Sequence, residues 1–144
     1  MGTDYSRRAG YPILGRDGVT LSEHWSEGVR TLHSVHVHGF PNCFLINVAQ
    51  SGFTVNFPYV LDLQARHIAW IVERAQKDGL SELEVTAEAE ADWVDRVIAC
   101  GAQTEEFSMH CTPGYYNNEG TADARSRQGG FFFGGPTELS LIHI

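Results

Sequence analysis

The sequence predicts an α/β fold in which a buried strand leads through a short loop into a helix. The run CFLINVA, residues 43–49, is continuously apolar over seven positions, which is typical of a strand buried on both faces in a parallel sheet. Residues 58–77 repeat apolar side chains mostly at three- and four-residue spacings, which indicates an amphipathic helix. The stretch QSGFTVNFP between them predicts a loop.

The remaining elements are predicted in chain order. Residues 1–29 are polar and rich in glycine, and they predict a loop or hairpin that turns at residues 15–18. Residues 31–38 alternate in polarity with a period of two, which predicts a strand. The first helix should stop before Gly79, and Thr86 should cap a second helix. From Gly101 the periodicity is lost, so residues 1–100 are expected to hold two or more strands and two helices, with a loop-rich segment over 101–138.

Bulk composition limits the classes of partner. The chain has 144 residues and a formal charge of −8, and its scattered basic residues argue against a nucleic-acid partner. No apolar run approaches the roughly 20 residues that span a bilayer, and the first ten residues lack the apolar core of a signal peptide. Three cysteines lie far apart in the sequence, so no disulfide framework follows and a cytoplasmic location is the default expectation.

The loop before the first helix is the predicted binding element. Asn56 is a plausible N-cap and Pro58 fits the first turn. A helix that begins there directs backbone N–H groups and a positive dipole at the loop. Proteins with α/β folds hold anions and electron-rich rings in this position at the carboxyl end of the sheet.

Histidines raise a competing hypothesis of a metal site. Strand periodicity would place His36 and His38 on one face. Structural zinc sites usually carry close ligand pairs at two separate places, whereas this chain has one clean pair with no acidic partner nearby. We therefore predict no metal site, and we interpret the two side chains as polar residues on a strand face.

Several motifs together resemble a known enzyme family. The segments GRDGVTLSEHWSEGVRTL, HGFPNCFLI, NFPYVLDLQARHIAWIV and PGYYNNEG occur in this order. The chain is similar, over residues 1–138, to the C-terminal third of flavin-dependent Baeyer–Villiger monooxygenases, in the branch near the hydroxyacetophenone and cyclopentadecanone enzymes. It departs from many of them at VAQSGF, where they carry a GPGSP-like loop, and there it looks closer to the general flavin monooxygenases.

The resemblance implies part of a Rossmann-like domain that binds FAD and NAD(P). The family uses FAD, NADPH and O₂ to insert an oxygen beside a ketone carbonyl, which gives an ester or a lactone. Two alternatives stay open: an N- or S-oxygenating flavin monooxygenase, and a small metal- or ligand-binding domain that uses His36 and His38. The glycine-rich nucleotide turns and the catalytic arginine of the family would lie upstream. The missing N-terminal part is thus an expected partner, and the isolated chain is not expected to be competent.

The resemblance also implies which residues lie near each cofactor. Gln50, Ser51, Thr54 and Asn56 would lie near FAD, partly through main-chain N–H groups. Tyr115, Tyr116 and Asn117 would belong to a mobile lid over NADPH and the substrate. The last six residues, LSLIHI at 139–144, look like a translated sequencing adapter, and we expect them to carry no function.

Overall fold

The computed structural model describes residues 10–101, 110, 112 and 128–136. Its regular elements within these residues are a 3₁₀ helix (Arg16–Gly18), α1 (Leu21–His24), α2 (Phe57–Asp78) and α3 (Ala87–Gly101). None of the helices described is long and apolar enough to cross a membrane. The adapter-like residues 139–144 and most of the predicted loop-rich segment lie outside the described residues.

Both long helices begin at the signals that the sequence carries, and α2 also ends at one. The Asn56 side chain accepts a hydrogen bond from the backbone N–H of Tyr59 at 3.3 Å, and a proline stands in the first turn of α2. The helix ends at Gly79, whose φ of 67° is left-handed, a conformation that glycine adopts without the steric cost of a Cβ atom. The hydroxyl of Thr86 accepts from the backbone N–H of Ala89 at 3.2 Å and caps α3 in the same way.

The predicted strand over residues 31–38 is wrong. His33 and Ser34 have left-handed φ values of 54° and 69°, and Leu32 pairs with His36 in an isolated antiparallel bridge, so the chain reverses in a tight turn. The Ser34 hydroxyl is fully buried there and donates to the carbonyl of Asn47 at 3.1 Å. Buried polar contacts inside a turn produced the alternation that resembled a strand.

The predicted strand over residues 43–49 is not confirmed. Leu45, Asn47 and Ala49 are buried, whereas Ile46 is 56% exposed, so the segment buries one face within the described part of the chain. The backbone N–H of Leu45 donates to the carbonyl of Val35 at 2.8 Å. A second sheet partner that would bury Ile46 is not among the described residues.

Two apolar clusters hold the described elements together. Members of the larger one come from α1 and the two segments after it: Leu21, Trp25, Val29, Val37, Phe40, Leu45 and Ala49. The smaller one joins α3 to the C-terminal segment through Trp93, Val97 and Phe132. The loop between residues 50 and 56 lies where residues 128–136 return to the N-terminal half of the chain.

Candidate functional site

The predicted binding loop pairs with the segment 130–136. Gly52 and Phe132 form a parallel bridge, in which Phe53 N–H donates to the Phe132 carbonyl at 2.9 Å and Phe132 N–H donates to the Ser51 carbonyl at 2.8 Å. A Cβ atom on Gly52 would lie 2.5 Å from the backbone nitrogen of Pro136. This close backbone approach requires glycine at position 52.

Gln50 supports the loop from within. It is fully buried, with a left-handed φ of 61°. Its side-chain oxygen accepts from the N–H and the hydroxyl of Thr31 at 2.9 and 2.6 Å. Its side-chain nitrogen donates to the carbonyls of Val29 and Gln128 at 2.9 and 2.8 Å. The side chain predicted to lie near FAD therefore joins three chain segments. The backbone N–H of Gln50 also donates to the carbonyl of Gly130.

The other three predicted residues divide between support and surface. Ser51 is buried, and its hydroxyl donates to the carbonyl of Val48 at 2.8 Å. The Thr54 hydroxyl is only partly buried and accepts from the N–H of Asn56 at 3.2 Å. Asn56 is exposed and caps α2. Thr54 and Asn56 thus lie at the surface beside the positive end of a 22-residue helix.

An apolar surface beside this helix terminus was not predicted from the sequence. Phe53, Val55, Phe57 and Phe133 are 46%, 98%, 44% and 40% exposed. The Phe53 ring lies 5.2 Å from that of Phe133 and 5.4 Å from that of Phe131, measured between centroids. The aromatic content of both segments was visible, but their contact depends on a bridge between residues 80 positions apart.

Tyr115, Tyr116 and Asn117 lie outside the described residues. The lid that the family resemblance implies for them therefore stays a prediction.

The two histidines of the metal hypothesis face different partners. His36 Nε2 lies 3.2 Å from His67 Nε2 on α2, whereas His38 Nδ1 lies 2.9 Å from the carbonyl oxygen of Val85. Among residues 10–101 and the later described positions, no group of three His, Cys, Asp or Glu side chains could hold a metal ion. Sequence reasoning missed His67 because it lies 31 residues away on a helix.

Burial makes the paired histidines poor proton acceptors. Burial first, and the facing charge of His67 second, lower the pKa of His36 to about 4. Burial also lowers the pKa of His67. Both imidazoles are consequently neutral at pH 7.

A buried carboxylate joins α3 to the N-terminal half. Glu90 is 2% exposed and accepts from the backbone N–H of His38 at 2.9 Å and from Arg30 Nε at 3.2 Å, while His24 Nε2 lies 3.5 Å away. Burial alone would raise the pKa of Glu90, but the neighbouring His24 ring and the hydrogen bonds from His38 and Arg30 hold it below its ordinary value. The site is therefore an ionised anchor for α3 at neutral pH.

Comparison with known sequences identifies several relatives. The chain is 45% identical over 83% of its length to neopentalenolactone D synthase from Streptomyces avermitilis. It is 40% identical over 91% to an FAD-binding monooxygenase from Hypomyces subiculosus, and 45% identical over 77% to a Baeyer–Villiger monooxygenase from Dietzia sp.. No family model matches the chain.

Comparison with solved structures identifies the same family of enzymes as the sequence comparison. The polycyclic ketone monooxygenase from the thermophilic fungus Thermothelomyces thermophila superposes with a TM-score of 0.85 and 30% identity, over 97% of this chain and 23% of that protein. The chain spans about a fifth of the length of the curated relatives it matches. It is therefore a relative of the flavin-dependent Baeyer–Villiger monooxygenases that corresponds to a fragment of them.

Proposed function

We propose that this chain is part of an FAD- and NADPH-dependent monooxygenase that inserts one oxygen atom of O₂ beside a ketone carbonyl to give an ester or a lactone. The observation that carries the proposal is that nearly the whole of this chain superposes on part of the fungal polycyclic ketone monooxygenase. The likeness of the Hypomyces protein, which is named for FAD binding, supports flavin as the cofactor.

The loop of residues 50–56 fits the polar edge of a flavin ring. Thr54 and Asn56 present polar side chains at the surface where α2 begins, and the helix dipole adds positive potential there. When bound, FAD supplies the redox chemistry. In this scheme Thr54 and Asn56 contact the ring, while Gln50 and Ser51 hold the loop in position from beneath.

The exposed apolar residues beside this loop would exclude water from the flavin. Phe53 and Val55 flank Thr54 on the same loop, so a ring held at Thr54 would lie against apolar groups. Dry surroundings strengthen the electrostatic contribution of the helix terminus. Tyr115, Tyr116 and Asn117 would belong to a lid over NADPH and the substrate.

The rest of the enzyme would supply the catalytic machinery. The curated relatives are about four times as long as this chain, and the chain contains no glycine-rich nucleotide turn of the G-x-G-x-x-G type. We therefore propose that the missing N-terminal part is an obligatory partner and that the isolated chain is inactive.

A chimeric enzyme tests the proposal. Residues 10–136 replace the superposed segment of the Thermothelomyces enzyme, and the purified chimera is assayed for retained FAD, for ketone-dependent NADPH oxidation and for transfer of ¹⁸O from ¹⁸O₂ into an ester product. The expected result is FAD retention with a labelled ester. A matched chimera with Gly52→Val, which should disrupt the loop, is expected to lose FAD.

The same assay separates the alternatives. A folded, FAD-loaded chimera that oxygenates a thioether or a tertiary amine but no ketone would favour N- or S-oxygenation. A folded chimera that retains no FAD would overturn the placement of this loop at the flavin. His36 and His38, the residues of the metal-binding alternative, contact different groups, and zinc retained by the chimera after dialysis would favour that alternative.

A further inference from the structure

We propose that His36 and His67 form a pH-sensitive latch, which fastens α2 to the turn of residues 32–36 while the pair holds at most one added proton and releases it when both rings are protonated. This device is separate from the proposed flavin site and from the earlier metal hypothesis. It rests on the way two rings from distant parts of the chain face each other.

The geometry is that of one shared proton. The two Nε2 atoms lie 3.2 Å apart, and the ring centroids lie 5.4 Å apart with planes at 85°. The distance between the ring centroids exceeds the distance between the two nitrogens by about the sum of the two ring radii. The two Nε2 atoms therefore lie on the line that joins the centroids, and each points at the other ring. One nitrogen must then donate and the other accept. Two imidazolium rings would bring two N–H donors and two positive charges together.

The surroundings favour the neutral pair. The rings line a cavity of about 270 Å³ whose other walls include Leu32, Ile71, Leu83 and Val85, and the edge of His36 packs on Phe44 at 5.4 Å between centroids. Such apolar walls disfavour added charge. Burial lowers the pKa of both histidines accordingly.

The described ionisable groups beside the pair have partners of their own. Glu84 lines the same cavity, but its carboxylate is held by Arg16 Nε at 2.8 Å and by the N–H of Gly39 at 2.8 Å, with His38 Nδ1 at 3.5 Å. His33, also at the cavity, packs its ring on Trp93 at 4.8 Å. On α2 itself, the neighbouring Arg66 pairs with Asp62.

Release of the latch would act on the proposed binding loop through α2. His67 lies in the same helix that begins at Phe57, directly after the loop. Gln64, one turn earlier, donates to the carbonyl of Asn47 at 2.8 Å and to the Ser34 hydroxyl at 3.1 Å, so the latch and this contact hold the same turn. Loss of the histidine contact would leave the turn with fewer polar contacts to the middle of α2, among them the hydrogen bonds of Gln64.

Hydrogen exchange of α2 tests the latch. The measurement uses the complete protein that carries this chain, and it reads helix protection rather than activity, so its outcome is independent of the proposed reaction. The released rings would have the ordinary histidine pKa of 6.5, whereas burial lowers the pKa of both latched rings, so the released state gains population as pH falls below 6.5. After correction for intrinsic exchange, protection of α2 in the unaltered protein should fall roughly tenfold between pH 7.5 and pH 5. His67→Gln keeps an amide that can pair with a neutral or charged His36, and it should abolish most of this fall. His38→Gln, at a ring that lies against the Val85 carbonyl and Glu84, should behave like the unaltered protein.

Two outcomes overturn the proposal. One is an equal loss of protection in the unaltered protein and in His67→Gln. The other needs no variant: imidazole ¹⁵N spectra that show both His36 and His67 protonated at pH 5 while α2 stays protected. If His67→Gln does not fold, His36→Phe combined with His67→Leu replaces the pair by apolar groups, and its α2 protection should likewise be insensitive to pH.

Discussion

At the scale of single residues, two buried polar side chains organise the described structure. Gln50 joins segments 19 and 78 residues away in the sequence, and Glu90 joins α3 to residues 52 and 60 positions earlier. A buried polar group that satisfies its partners contributes modestly, but its removal leaves those partners unpaired at a much larger cost. Both positions are therefore more sensitive to substitution than their size suggests.

Replacement of Gln50 by Met keeps the shape of the side chain and removes all four of its hydrogen bonds. Because the Thr31 N–H and the carbonyls of Val29 and Gln128 would be left buried and unpaired, we expect the free energy of unfolding to fall by about 2–4 kcal/mol, measured by urea unfolding of the complete protein. Gln76→Met on the exposed face of α2 is the matched control and should change stability by less than about 0.5 kcal/mol. Similar losses of stability in the two variants would contradict the inference that Gln50 stabilises the fold through its hydrogen bonds.

Glu90→Gln tests the anchor of α3 through its pH dependence. The pKa of Glu90 is lower in the folded chain than its ordinary value of 4.5, so its contribution is fully present above that value and is lost as pH falls below it. We expect the variant to be less stable by about 1–3 kcal/mol at pH 7, with the difference shrinking towards pH 3. A difference that stayed constant over this range would show that the carboxylate charge is unimportant. Asp95→Asn, exposed on the same helix, is the control.

The sequence predicted where the candidate loop lies but not which of its residues are buried supports and which lie at the surface. Asn56 carries a local signal, since an N-cap is recognised from the residues that follow it. The partners of Gln50 are set by the tertiary fold and leave no mark at adjacent positions. The contact of His36 with His67 was invisible for the same reason, and the pattern suggested His38 instead.

At the scale of elements, helices were predictable and strands were not. Both long helices carry capping residues and a three- to four-residue period, which are properties of the segment itself. Strands depend on partners elsewhere. The alternation over residues 31–38 arose from a turn in which Ser34 is buried for its hydrogen bonds, and the apolar run at 43–49 lacks a described partner on one side.

Substitution of the N-cap separates the stability of α2 from its proposed electrostatic role. Asn56→Ala removes the acceptor for Tyr59 N–H and should lower the free energy of unfolding by about 1 kcal/mol. Asn56→Asp retains the cap, so its stability should stay close to that of the unaltered protein, but it adds a negative charge where we place the flavin and should weaken FAD binding. Calorimetry and FAD titration measure the two effects, and unaltered FAD affinity in Asn56→Asp would argue against the placement.

Gly52→Ala tests the pairing of the loop with residues 130–136. The new Cβ would meet the backbone of Pro136 at 2.5 Å, and backbone on both sides cannot yield as a flexible side chain can. We expect a loss of stability of about 1–3 kcal/mol and greater proteolytic cleavage near residue 52. Gly101→Ala is the matched control, because no atom of the described residues lies within 4 Å of its Cβ position, and it should leave stability unchanged or slightly raised.

At the scale of the whole molecule, the described residues form a small core and leave large apolar side chains exposed, as expected for one part of a larger protein. Its described core consists of two small clusters, while large apolar side chains such as Val55, Trp70 and Ile46 are 98%, 57% and 56% exposed. Exposed apolar surface of this extent marks contact with other protein or with ligands. The resemblance to one part of a longer enzyme was readable from ordered motifs along nearly the entire chain, whereas the exposed faces required coordinates.

The isolated chain of residues 1–138 should therefore fold poorly. We expect a broad, non-cooperative thermal transition and concentration-dependent aggregation, because the surface meant for the rest of the enzyme stays open to water. Circular dichroism with light scattering tests this expectation. A sharp, reversible melt of a monomer would contradict it and would show that these residues form an autonomous domain.

The contact between Gln50 and the carbonyl of Gln128, 78 residues apart, also sets an order on biosynthesis. A ribosome releases the loop long before it has made the segment that completes the loop, and closing so long an interval is slow as well as entropically costly. A message broken anywhere between codons 56 and 128 would still encode Gln50, Ser51, Thr54 and Asn56. Its product would contain every residue proposed to lie near the flavin and would lack the carbonyl and the backbone ladder that hold them in place.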